Sequence, residues 1–147
     1  MEWMQRSTLD AMRGLAILLL TAATLGACAS VSAGVSSGTS LTVTYWEDGS
    51  RTASRDTWTL RCNPARGTLP RPAIACRRLA AGGMKLFAST PPNVACTQIY
   101  GGPQVARVVG TVAGKRVWAT FSREDGCAIS RWERLSPWLL PAGGVRY

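Results

Sequence analysis

The 147-residue sequence contains no histidine. That excludes a Ser-His-Asp triad, a Cys-His nucleophile pair and every histidine metal site at once. Acids are scarce as well: eight Asp and Glu stand against seventeen Lys and Arg, a formal charge of +9. No two of the five cysteines have Cys-x-x-Cys spacing, so a zinc knuckle is a poor reading. No apolar run reaches the roughly 20 residues that span a bilayer, and there is no internal repeat. Glu124-Asp125, or Asp48 with Asp56, could serve as paired acid and base. Both pairs lie in turn-like polar stretches, where solvation or helix capping accounts for them. The expectation is a chain that is not an enzyme, with no catalytic residues, no metal and no cofactor.

The cations present are mostly arginine. From Ala29 onward there are fifteen Lys and Arg, thirteen of them Arg, against six acids. Such a balance favours acidic partners. The arginines are scattered rather than run together, which favours a solvated basic surface over a polyanion site and gives no nucleic-acid partner.

The first 28 residues read as a signal peptide. Gly14 to Gly26 is an uncharged, mostly apolar core of thirteen residues behind Arg13, the length of an export h-region. Glu2 and Asp10 spoil the charge of the first eleven residues, so Met12 is the expected start. Leu25-Gly26-Ala27-Cys28 resembles a bacterial lipobox, which makes Cys28 a lipidation candidate; cleavage after Ala29 or Ala33 is the alternative. Residues 29–40, rich in Ser, Gly, Val and Ala, read as a flexible tether. The protein is expected outside the cell, either secreted or held at the outer face of the bacterial membrane, with a lipid anchor as its one membrane contact.

Removing Cys28 leaves Cys62, Cys76, Cys96 and Cys127. An exported chain meets an oxidising compartment, so these four should form two bridges, with three pairings open.

The mature chain alternates strand and turn signals. Leu41, Val43 and Tyr45 share one face of a strand, with Thr42, Thr44 and Trp46 on the other. Asp48-Gly49 turns the chain, and Trp58, Leu60 and Cys62 mark a second strand. Asn63 to Pro72, with three prolines, is a loop. Ala73 to Ala81 has helical spacing at Cys76, Leu79 and Ala80, and Gly82-Gly83 ends it. Met84 to Ala88 is expected to pack apolar side chains beneath the following loop. Gln104 to Val112 is a valine-rich strand. Ala113-Gly114 turns it into Lys115 to Phe121, where Val117, Ala119 and Phe121 form one face. Ser122 begins a short turn or helix, with Asp125 completing a capping box. The domain is read as 41–134, and 135–147 as a partly ordered tail. Helix mixed with antiparallel strand implies an α+β fold.

One stretch stands apart. Pro91-Pro92 stiffens the approach, then come Ala95, Cys96, Thr97, Gln98, Ile99, Tyr100, Gly101, Gly102 and Pro103. Thr97 to Tyr100 is uncharged and mostly bulky, stapled in front by a cysteine and closed by a Gly-Gly-Pro that no helix or central strand tolerates. A protease cleft accepts such a segment as substrate. The plainer alternative is a surface connection, with Tyr100 a core aromatic.

Cys96 with Tyr100-Gly101-Gly102-Pro103, Gly114-Lys115-Arg116-Val117, Phe121-Ser122-Arg123 and Gly126-Cys127 resemble the Streptomyces subtilisin inhibitor family. The resemblance runs from Leu41-Thr42-Val43 through Trp58-Thr59-Leu60-Arg61-Cys62 and Ala75-Cys76 to about Trp132. It implies a five-stranded antiparallel sheet with two short helices on one face. It implies bridges Cys62–Cys76 and Cys96–Cys127, a homodimer through the sheet, and inhibition of subtilisin-type serine proteases. The reactive bond it implies is Gln98-Ile99, within a loop of Ala95, Cys96, Thr97, Tyr100, Gly101, Gly102 and Pro103. This chain departs from the family in Gln98, where Met, Lys or another long residue is common, in Thr97, often proline, and in Ala128, often an acid. Outside that class, the competing reading is a non-inhibitory basic envelope lipoprotein or binding module.

Overall fold

Strict alternation builds the centre of the molecule. In the computed structural model, which describes residues 38–52 and 54–143, β1 (Ser40–Trp46) buries Leu41 and Val43 while Thr42 stays exposed. β2 (Asp56–Arg61), β3 (Val105–Val112) and β4 (Lys115–Phe121) follow the same period, burying Leu60, then Ala106, Val108 and Val112, then Val117, Ala119 and Phe121. All pairings are antiparallel, in the order β2-β1-β3-β4. Register follows burial: Val43 lies opposite Val108, and Val108 opposite Ala119, on one inner face. A slip of one residue would turn every one of these outward. The β3–β4 hairpin closes through Ala113 and Gly114, both at positive φ (48° and 78°), the left-handed pair that matches strand twist.

Two helices cover the inner face. α1 (Pro72–Gly82) opens on a proline, which its missing N–H suits, and stops at Gly83, whose N–H bonds Leu79 O. A 3-10 turn (Gly83–Phe87) follows and buries Phe87 edge-on to Phe121 at 6.5 Å. α2 (Gly126–Leu135) contributes Trp132 and Leu135. Ala75, Leu79, Trp132 and Leu135 join the sheet's inner residues in one hydrophobic cluster. Cys62–Cys76 ties β2 to α1 with Cα atoms 5.7 Å apart, and Cys96–Cys127 ties the loop before β3 to α2 at 5.3 Å.

Four expectations change. The sheet has four strands among the described residues, not five. A fifth segment runs beside β2 but pairs only at Arg61↔Arg66, with Leu69 N bonding Thr59 O. Pro64 and Pro70 lack the N–H that a ladder needs, and Gly67 sits at φ 130°, so the pairing does not propagate. Of the residues 135–147 read as a partly ordered tail, those described, as far as Gly143, pack on the domain. Trp138, Leu139 and Leu140 are buried, and Trp132 Nε1 donates to Pro141 O at 3.0 Å. Asp125 is the N-cap of α2 itself, accepting from Ala128 N at 2.8 Å, rather than the far member of a box begun at Ser122. Trp46, on the outer face, is nonetheless 5 % exposed, with the Arg107 guanidinium over its ring at 5.8 Å. The predicted export core and Cys28 lie outside the described residues.

Candidate functional site

The segment between the 3-10 turn and β3 has no regular structure, and the prolines explain its stiffness without it. Its entry is gripped from α2. Arg131 Nε donates to Ala88 O at 3.1 Å while its guanidinium stacks 4.8 Å from the Phe121 ring, and Arg134 Nη1 donates to Lys85 O at 3.3 Å. Burial first, and the neighbouring Arg134 charge second, hold the Arg131 guanidinium below its usual range. An open cleft of about 420 Å³ separates the rising chain, at Ser89, Thr90 and Val94, from these arginines.

The crest begins at Cys96, whose bridge to Cys127 fixes it to the first turn of α2. One residue on, Gly126 N donates to Thr97 O at 2.9 Å. That approach requires glycine: a Cβ at 126 would overlap Thr97 Oγ1. Gly101 is held from the far side by two bonds to one residue. Its N–H donates to Arg123 O at 2.8 Å, and its carbonyl accepts from Arg123 Nε at 3.0 Å. A Cβ at 101 would meet Ile129 Cδ1 at 2.8 Å, so this end too is fitted against α2. Both flanks of the crest are therefore clamped to the five-residue run 123–127.

Between the clamps stand Gln98, Ile99 and Tyr100. Ile99 is 63 % and Tyr100 65 % exposed, so Tyr100 is not a core aromatic. Among the described residues, no backbone N–H or C=O of these three takes an intramolecular partner; the one local bond is Gln98 Nε2 to Cys96 O at 3.4 Å. Ala95 and Pro103 are also exposed, whereas Gly102 is buried, with the Gln104 side chain occupying the space a Cβ would need. An exposed run of large uncharged side chains with free backbone donors and acceptors can add to another protein as an extended strand.

The acids have other duties. Asp48 accepts from Ser50 N at 3.0 Å, closing its own turn, and Asp125 caps α2. Cys96, Asp125 and Cys127 place ligand-type atoms within 4.8 Å of one another. Both sulfurs, however, are spent in the bridge and the carboxylate in the cap. The sequence singles out this exposed segment but not Arg123, 7 % exposed, nor its partner Glu133, whose Oε1 lies 2.9 Å from Nη1. An arginine in a polar turn and a glutamate ten residues later carry no pattern that joins them to Gly101.

The family model described as subtilisin inhibitor-like matches residues 35–124. No curated protein matches the chain. Among solved structures, Streptomyces caespitosus sermetstatin, crystallised in complex with Bacillus licheniformis subtilisin, is 26 % identical, with 71 % of this chain and 99 % of that one covered at a TM-score of 0.49. The family match spans more than half of the 147 residues and takes in the whole crest together with its far clamp at Arg123. The chain belongs to the subtilisin inhibitor-like family, whose members are protease inhibitors rather than enzymes.

Proposed function

We propose that this chain inhibits subtilisin-type serine endopeptidases by offering Gln98-Ile99 as a reactive bond. One observation carries the reading: this peptide bond lies exposed and without internal backbone partners, between two clamps that both lead to residues 123–127. The run Ala95 to Tyr100 enters the cleft as an added antiparallel strand. Gln98 fills the primary pocket. Thr97 and Gly101 are already fixed, so binding does not have to order them, and affinity rises without new contacts. After attack, the freed amine of Ile99 stays near the acyl-enzyme, because Gly101 is still bonded to Arg123. Held there, it religates faster than it leaves.

The same reading places the protein outside the cell, exported by residues 1–28 and either secreted or anchored through Cys28, with 29–40 as tether and 41–134 as inhibitory domain. Two bridges in so small a domain support an oxidising compartment. A homodimer through the sheet fits the outer face, where Trp118 is 74 % exposed beside Arg107 at 5.6 Å; sedimentation of wild type and Trp118→Ser tests it.

Titration of purified protein against subtilisin tests the function. Stoichiometric loss of activity, with slow cleavage after Gln98, is expected. Progressive digestion without inhibition overturns the proposal and leaves a non-inhibitory envelope protein.

A further inference from the structure

We infer that Arg123 and Glu133 form a lock on the Ile99 side of the reactive bond, and that this lock sets how long the cleaved inhibitor holds together. The inference rests on Gln98-Ile99 being that bond. Arg123 hydrogen-bonds the loop at Gly101 and not at the reactive bond itself, so it is a positioning residue. Its Nε and its own carbonyl grip both backbone groups of Gly101, at 3.0 and 2.8 Å.

What holds Arg123 comes from elsewhere. Its side chain is 8 % exposed, and a guanidinium that far from water requires an anion. Glu133 is the one carboxylate in contact with it among the described residues, bonding Nη1 at 2.9 Å. The Trp132 ring lies 5.9 Å from its Cζ. Gly143 closes over it so tightly that a Cβ there would overlap Nη1. The C-terminal residues thus brace the loop through Arg123. Without Glu133, the buried guanidinium gains by swinging into water, and Nε leaves Gly101 O when it does.

The two flanks then have separable duties. The Cys96–Cys127 bridge and the Gly126–Thr97 bond hold the acyl side, which presents the loop for attack. The lock holds the amine side, and its larger effect comes once the bond is cut. Glu133 is half exposed, at 53 %, so Glu133→Gln keeps shape and folding while removing the charge. Subtilisin is mixed with wild type, Glu133→Gln and Arg123→Lys. The association rate and the amount of chain cut after Gln98, by mass spectrometry, are followed together. Association should change less than about twofold, while cleaved chain should accumulate about tenfold faster in Glu133→Gln. Arg123→Lys should not rescue, because one ammonium cannot bond Gly101 O and Glu133 in the fork that a guanidinium spans. Melting temperatures are taken alongside: faster cleavage in a variant that melts with wild type cannot be general loosening. If all three inhibit and are cut after Gln98 at equal rates, the lock is refuted while the reactive bond stands. If wild type is cut elsewhere or does not inhibit, the reading beneath it has failed instead.

Discussion

Removing each disulfide separately distinguishes a bridge that holds the fold from one that holds the loop. Cys62–Cys76 closes a sequence separation of 14 and Cys96–Cys127 one of 31. In the chain-entropy account these contribute about 3.0 and about 3.7 kcal/mol respectively, nearly equal shares of a net stability of roughly 5–15 kcal/mol. Changing either pair to serine should therefore lower the melting temperature by a similar amount, about 12–30 °C for a domain of this size. Inhibition should diverge. Cys62 and Cys76 join β2 to α1, whereas Cys96 is two residues from the reactive bond. Without the second bridge, about two more loop residues must be ordered on binding, at about 1–2 kcal/mol each. That is about 2–4 kcal/mol, or roughly 30- to 900-fold in inhibition constant. The assay is an inhibition constant against subtilisin for both double mutants, at a temperature where circular dichroism shows each one folded. Cys62→Ser with Cys76→Ser should stay near wild type, and Cys96→Ser with Cys127→Ser should weaken by that factor. Equal potency of the two would sink the claim that the second bridge preorganises the loop.

Other expectations follow from particular side chains. Gln98 offers a trypsin-type pocket an amide but no charge, so Gln98→Lys should improve trypsin inhibition by about two to three orders of magnitude, roughly 3–4 kcal/mol; inhibition constants against both protease types decide, and an unchanged value for trypsin would move the reactive bond elsewhere. Trp138 is 4 % exposed and donates Nε1 to Arg134 O at 3.2 Å, so Trp138→Ala should cost about 3–5 kcal/mol in chemical denaturation, whereas a loose tail would show almost none. Asp125→Ala removes the cap of α2 and should cost about 1 kcal/mol by the same measurement. Mass spectrometry of native protein decides between secretion and anchoring: an acylated Cys28 at the mature N-terminus supports the anchor, and an unmodified terminus downstream of it ends that proposal.

The sequence by itself determined whatever depends on near neighbours. Period-two alternation gave the inner faces at Leu41 and Val43 and at Val117, Ala119 and Phe121, because side-chain direction along a strand is local. Ala113-Gly114 was legible as a hairpin turn and Gly82-Gly83 as a helix stop for the same reason. Cys96 and Gly101-Gly102-Pro103 bound the exposed crest for the same local reason. Tertiary structure alone decided what joins residues far apart in the chain. Two prolines and a left-handed glycine confine the segment after β2 to one bridge, and only the edge it meets shows that no fifth strand forms. The last residues looked like a tail because two prolines and two glycines break every local pattern, yet Trp138, Leu139 and Leu140 are buried against the core. Nothing near Arg123 in sequence marks it for burial. Its position is set by Gly101, Glu133 and Gly143 arriving from three other parts of the chain, and contact between such distant residues leaves no periodicity to read.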